Sequence, residues 1–356
     1  MEQLAERPVF DLKAIDKLDS ILIVRLFAMG DIVLTLPLVR RMRETFPDSW
    51  IGYLARERFA GALAGETGLD EVISLPDSLA GQLGVLRRIR KKKLDVAIDL
   101  LSNPRSAMIT RFSGARAKIG MDTGRRNGAY DAVLPRAIMR DGERVRCYTL
   151  EVNLEVGRML GLEGGTDGRG TGEGDTPYGF PAAANAGEIA LPGDGSGLAG
   201  IVPGSTYPSK GWPKERFIEL GRRISAELGL TPVIMWGPGE EGLAAEIADQ
   251  VPGAVAAPPT DIAESGALIG RLGVLVGIDS GPKHIAVLMG IPTVTLFGPT
   301  DPRFWDPMNG LHRAVWKGLD CAEGCREKDC SHRSCMDSIT VDEVFEEVAS
   351  VVKGDR

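Results

Sequence analysis

Ile21-Leu22-Ile23-Val24-Arg25-Leu26 is a short β-branched run of the kind that forms a strand buried on both faces. Gly30-Asp31 follows, and then an apolar-periodic stretch from Ile32 to Phe46 reads as a helix. Outward from this strand–turn–helix unit the alternation continues. Trp50–Leu54, Glu71–Leu75 and Asp95–Leu100 read as further strands, and Leu79 to Arg90 as a helix between two of them. Strands alternating with helices predict a parallel, doubly wound α/β sheet.

The texture changes between Leu162 and Gly197, where glycines crowd residues 164–174 and prolines follow, the composition of a linker. The alternation then restarts. Leu198–Val202, Pro232–Trp236, Val274–Val276 and Thr293–Phe297 read as strands. Pro213–Leu228, Glu240–Gln250 and Pro282–Met289 read as helices, and Val341–Lys353 as a closing amphipathic helix. With 356 residues, the chain is too long for one ordinary core. The expected organisation is a Rossmann-like domain over 1–162, a linker over 163–197 and a second Rossmann-like domain over 198–356, with the two parallel sheets facing across a cleft. In such sheets ligands bind beyond the carboxyl ends of the strands.

A net charge of −7 argues against a nucleic-acid partner, which usually meets a basic face. One basic run stands out, Arg87-Arg88-Ile89-Arg90-Lys91-Lys92-Lys93. It reads either as cations at a helix end or as contact with an anionic membrane or acceptor. The first twenty residues lack an unbroken apolar stretch, and no later segment is long and apolar enough to span a bilayer. A cytoplasmic protein, at most peripheral to a membrane, is expected.

Three stretches of the second half follow strands. Pro203-Gly204-Ser205-Thr206-Tyr207-Pro208-Ser209-Lys210-Gly211-Trp212-Pro213 offers hydroxyls, backbone amides and a lysine to phosphate oxygens, or is an ordinary turn. In Trp236-Gly237-Pro238-Gly239-Glu240-Glu241 a carboxylate either accepts ribose hydroxyls or favours a helix start. Asp279-Ser280-Gly281-Pro282-Lys283-His284 places a Ser-Gly turn at a helix N-terminus, an anion site. A plain N-cap explains the helix start, but not the gathering of Gly, Lys and His. In the first half, Asp31 reads equally as a helix cap and as a general base toward a sugar hydroxyl.

Taken together, Met29-Gly30-Asp31-Ile32-Val33-Leu34-Thr35-Leu36-Pro37, Lys210-Gly211-Trp212-Pro213, Asp279 to His284 and Phe297-Gly298-Pro299-Thr300 resemble the ADP-heptose:lipopolysaccharide heptosyltransferases, glycosyltransferase family 9. The resemblance spans the chain from Ile21 to its last helix. It implies the two-domain GT-B fold and inverting transfer of a heptose from ADP-heptose to an anionic lipopolysaccharide inner-core acceptor, with no catalytic metal. Any peripheral membrane contact would then be with the inner membrane's cytoplasmic face. By the same resemblance Asp31 is the base, and Ser205, Thr206 and Lys210 form the diphosphate loop. Glu241 then meets the nucleoside, and Asp279, Ser280, Gly281 and His284 the sugar and phosphate. The alternative is a GT-B transferase or epimerase using another nucleotide-sugar, such as a UDP-sugar. Arg146-Cys147-Tyr148 departs from the family, which commonly has a histidine there, and the Gly-rich linker is long. Arg105, Arg111, Arg116, Lys118, Arg125 and Arg126 are candidates for acceptor anions, or ordinary surface charge.

Cys321, Cys325, Cys330 and Cys335 crowd one polar segment with His332. A structural zinc, free or redox-active thiols and an iron–sulfur cluster are the readings weighed, with zinc favoured.

Overall fold

Among the described residues twelve strands align in two parallel sheets, whose central strands are apolar runs buried on both faces that can be covered only by crossover helices. The computed structural model describes residues 9–140, 143–162, 169–171, 175–181, 189, 191, 197–321, 325, 330 and 332–354. The chain divides into two compact units, Met1–Asp167 and Gly168–Arg356. Most of the stretch read as a linker lies outside the described residues.

The first unit contains β1 (Ser20–Val24), α1 (Met29–Val33), α2 (Leu36–Thr45), β2 (Trp50–Arg56), α3 (Glu57–Ala60), β3 (Glu71–Leu75), α4 (Leu79–Lys91), β4 (Val96–Asp99), α5 (Pro104–Phe112), β5 (Ala117–Met121) and β6 (Ala132–Leu134). A two-residue antiparallel ladder, β7 (Met139–Arg140) with β8 (Glu143–Arg144), and α6 (Thr149–Met159) complete it. Its sheet runs β3-β2-β1-β4-β5-β6, every pair parallel.

The helix expected over Ile32–Phe46 is two helices. The break falls at Leu34–Thr35, where Thr35 Oγ1 donates back to the Ile32 carbonyl and meets the Tyr53 hydroxyl at 2.8 Å. Pro37, lacking an N–H, sits in the first turn of α2, where that loss is tolerated.

The second unit opens with a two-residue parallel pair, β9 (Arg169–Gly170) and β10 (Thr176–Pro177). Then come β11 (Leu198–Val202), α7 (Lys214–Leu228), β12 (Thr231–Ile234), α8 (Glu241–Gln250), β13 (Val255–Ala256), α9 (Ile262–Ile269), β14 (Val274–Ile278), α10 (Gly281–Leu288), β15 (Thr293–Phe297), α11 (Pro302–Trp305), β16 (His312–Trp316), α12 (Ser334–Asp337) and α13 (Val341–Lys353). Its sheet order, β13-β12-β11-β14-β15-β16, repeats that of the first unit. The last helix buries Val341, Val344, Phe345 and Val348, spaced on one helical face, against the sheet and α7.

In both sheets the strand order reverses beside the first strand, between β1 and β4 and between β11 and β14. Crossovers leave in opposite directions there, so the following loops open a crevice.

Candidate functional site

At the reversal in the second sheet, Asp279 stands just past β14, its side chain buried. Lys210, in the loop after β11, reaches Asp279 Oδ2 with Nζ at 2.6 Å, and Thr300 Oγ1 donates to the same oxygen at 3.0 Å. Trp212 holds the Lys210 loop. It is buried, its indole N–H donates to the Ile339 carbonyl at 3.0 Å, and its ring meets Phe217 edge-on at 4.8 Å. Burial pushes the Asp279 carboxyl up, but Lys210, Lys283 and His284 together outweigh it and hold the group below the usual carboxylate range.

Ser280 is the N-cap residue of α10, yet its side chain makes no capping hydrogen bond. A plain cap therefore does not account for it, and no side chain at the N-cap meets the first-turn amides. Ser280 Oγ and His284 Nδ1 are buried without a protein partner among the described residues. Burial, and then Lys283, push the His284 imidazole well below its usual range, so it is neutral near pH 7. The turn thus collects a hydroxyl, a neutral imidazole and helix-start N–H groups, the furniture of an anion site.

Lys283, from the same motif, is engaged elsewhere. Its Nζ donates to the Trp305 carbonyl and lies 3.3 Å from Asp306 Oδ2, with the two side chains 1% and 0% exposed. This pair fastens α10 to the end of α11. Ser205 Oγ accepts the Tyr207 N–H at 3.0 Å, and Thr206 is exposed.

The two carboxylates after β12 are placed differently from each other. Glu241 is the exposed first residue of α8, while Glu240 turns back and accepts the Gly237 N–H at 2.9 Å. A Cβ added at Gly204 would fall 2.1 Å from the Glu240 carboxylate, so glycine there makes room for that group. The Glu240 carboxylate thereby packs against the loop after β11.

The first unit has its own constellation at its reversal. Asp31 lies in the first turn of α1, where one oxygen accepts the Ala28 N–H at 3.1 Å and the other pairs with the Arg25 guanidinium. Arg25 also donates to the Leu100 carbonyl at 2.5 Å, joining the loops after β1 and β4. Helix-start contact and charged group thus coexist in Asp31. Arg126 and Arg136 donate to the carbonyls of Ser102 and Leu101 at 2.8 and 2.6 Å. Burial, and then the nearby Arg25 and Arg126, lower the Arg136 guanidinium below its usual range. Buried Asp99, pushed up by burial, accepts the Tyr130 hydroxyl at 2.8 Å.

Of the cations singled out from sequence, Arg126 alone joins this group by a recorded contact among the described residues. Arg116 pairs with Asp95, Lys118 with Asp131 and Arg105 with Asp77, and Arg111 donates to the Gly128 carbonyl. Arg25 and Arg136 were not among the expected residues. Arg25 had a signal, since it directly follows the first strand beside the reversal.

The four clustered cysteines are unlinked thiols, Cys321 exposed, Cys325 and Cys330 half-buried and Cys335 buried. Burial pushes the Cys335 thiol up, and so do Cys321 and Cys330 nearby. Among the described residues no three His, Cys, Asp or Glu side chains converge as a metal site. Residues 322–324, 326–329 and 331 lie outside the described residues.

The family model for glycosyltransferase family 9 (heptosyltransferase) matches residues 82–335, most of the chain. The chain belongs to glycosyltransferase family 9. Among similar proteins, lipopolysaccharide heptosyltransferase 3 of Escherichia coli is 26% identical over 305 residues, covering 81% of this chain and 86% of the relative. Lipopolysaccharide heptosyltransferase 1 of Pseudomonas aeruginosa is 24% identical over 339 residues, with 88% of each chain covered. A glycosyl transferase family 9 structure from Veillonella parvula superposes with a TM-score of 0.79 at 21% identity, covering 95% of this chain and 99% of that one. The E. coli heptosyltransferase WaaC with ADP-2-deoxy-2-fluoro heptose gives 0.69 at 21% identity, covering 93% and 99%. The family 9 fold is GT-B, here as two Rossmann-like units, and the chain is a glycosyltransferase. Among the described residues no helix of this family 9 chain is long and apolar enough to cross a membrane.

Proposed function

We propose that the chain transfers a heptose from ADP-heptose to a lipopolysaccharide inner-core acceptor, with inversion at the anomeric carbon. The observation that carries this reading is the Lys210–Asp279–Thr300 network beside the uncapped α10 start, where Ser280 and His284 remain unpartnered. The names of its relatives, lipopolysaccharide heptosyltransferases, support the choice of sugar and acceptor.

In this scheme an acceptor hydroxyl attacks the anomeric carbon as the bond to the diphosphate oxygen breaks. Asp31 takes the hydroxyl proton, and ADP leaves carrying the bonding electron pair. Lys210, Ser205, Thr206, Ser280, Gly281 and the α10 N-terminus meet the growing negative charge, a preorganised stabilisation that needs no metal ion. Asp279 holds Lys210 in place, and His284 sits beside the sugar. Glu240 and Glu241 are the carboxylates available to the nucleoside. Arg25, Arg126 and Arg136 face the acceptor's anionic groups. The reaction runs at the cytoplasmic face of the inner membrane.

Calorimetric titration of the protein with ADP and with UDP tests the donor, and ADP is expected to bind more tightly. Lys210→Met is expected to lower turnover by roughly 100-fold, measured as heptose addition to truncated lipopolysaccharide by mass spectrometry. A preference for UDP, or unaltered turnover in Lys210→Met, would overturn the reading.

A separate proposal concerns the tail: Cys321, Cys325, Cys330 and Cys335 together hold one structural zinc ion. The support is chemical, four unlinked thiols within one short segment, the ligand number of a tetrahedral thiolate site, although among the described residues they do not converge in this structure. Elemental analysis of purified protein is expected to give one zinc per chain, lost in Cys325→Ser/Cys330→Ser. Metal-free protein with an unchanged unfolding midpoint would refute it.

A further inference from the structure

The first unit's outer surface carries a feature that the transfer reading does not use. Helix α4 exposes Leu79 and Leu83, at 80% and 55%, and the same spacing of four continues into exposed Arg87 and Lys91. The neighbouring α5 packs beside α4 and exposes Met108 and Phe112, at 54% and 48%, alternating along the chain with Arg105 and Arg111. At their C-terminal ends the helices meet closely, since a Cβ added at Gly114 would stand 3.7 Å from Arg90 Cγ. Of seven exposed large hydrophobic residues in the described chain, four lie on these two helices, so the exposure is local.

The charge is local too. Residues 79–118 contain ten lysines and arginines and two acids, Asp95 and Asp99, in a chain whose net charge is −7. Both acids are buried. Arg88 and Lys92 pair with Glu71, Arg105 approaches Asp77 and Arg116 pairs with Asp95. Among the described residues Arg87, Arg90, Lys91 and Lys93 have no recorded acidic partner. Neither α4 nor α5 contains an acidic residue.

We infer that the α4–α5 face docks on an anionic phospholipid bilayer. Unpaired cations draw it to acidic headgroups, and Leu79, Leu83, Met108 and Phe112 enter the boundary between headgroups and acyl chains. A nucleic acid would match the cations but would leave exposed leucines and a phenylalanine unrewarded. Apolar tips interleaved with unpaired cations fit a lipid interface better.

Co-sedimentation of the full-length protein with vesicles tests this without any substrate. The protein is expected to bind mixed phosphatidylcholine–phosphatidylglycerol vesicles, to bind pure phosphatidylcholine far more weakly, and to be released by salt. Arg87→Glu/Lys91→Glu should lower partitioning by at least about tenfold, and Leu79→Ser/Leu83→Ser by about tenfold. All four residues are exposed, so circular dichroism should match the parent protein. No binding to the anionic vesicles, equal binding to both vesicle types, or undiminished binding by both variants overturns the inference.

Discussion

Asp31→Asn is expected to lower turnover by roughly 10²–10⁴-fold, while the affinity for ADP stays within a factor of about two of the parent. Asparagine keeps the size of the side chain and can still accept the Ala28 N–H, now 3.1 Å away. It cannot take a proton from an attacking hydroxyl, and it loses the ion pair with Arg25. Nucleotide binding is assigned to residues of the second unit, so the two readouts should separate. Single-turnover transfer measured with ADP titration checks this. Full turnover in Asp31→Asn would remove Asp31 from the role of base. Lost ADP affinity would instead give it a part in holding the donor.

Lys283→Met is expected to destabilise the second unit by about 3–5 kcal/mol, because it leaves Asp306 buried without its cation. For a unit of this size that is a fall in unfolding midpoint of roughly 6–20 °C. The double variant Lys283→Met/Asp306→Leu should recover much of the loss, since replacing a whole buried pair by apolar groups is often neutral. Differential scanning calorimetry of the three proteins tests this. A small effect in the single variant would mean that water reaches Asp306. The change should also be felt at the site, because Lys283 anchors the helix whose N-terminus carries Ser280 and His284.

Much of the fold could be read before the structure because its strands are continuous apolar runs bounded by turn residues. Glu71–Leu75, Leu198–Val202, Thr293–Phe297 and the helix Val341–Lys353 match their expected limits. The outer elements escaped for a physical reason. Ala117-Lys118-Ile119-Gly120-Met121, one strand in from the edge, carries a lysine and a glycine, and His312-Arg313-Ala314-Val315-Trp316, at the edge, carries an arginine, so neither is a continuous apolar run. Val255–Ala256 has only two residues to signal with.

Site residues divide along a similar line. Asp31, Lys210, Asp279 and Ser280 were legible because each follows a recognisable strand. Thr300, which fixes Asp279, and the Leu100 carbonyl, which holds Arg25 beside Asp31, depend on which loops the sheet order brings together, and spacing along the chain does not carry that. Lys283 shows the converse, a residue inside the strongest motif whose charge faces the interior.

The shared strand order of the two sheets has a consequence for how such a chain can change. Each reversal point is furnished by loops whose roots are pinned in a sheet of its own. Lengthening or rewriting the loops after β1 and β4 leaves the pairing of β11 with β14 untouched, and the converse holds as well. Variation in what one unit recognises can therefore accumulate while the grip of the other is conserved, a division of labour written into the order of the strands.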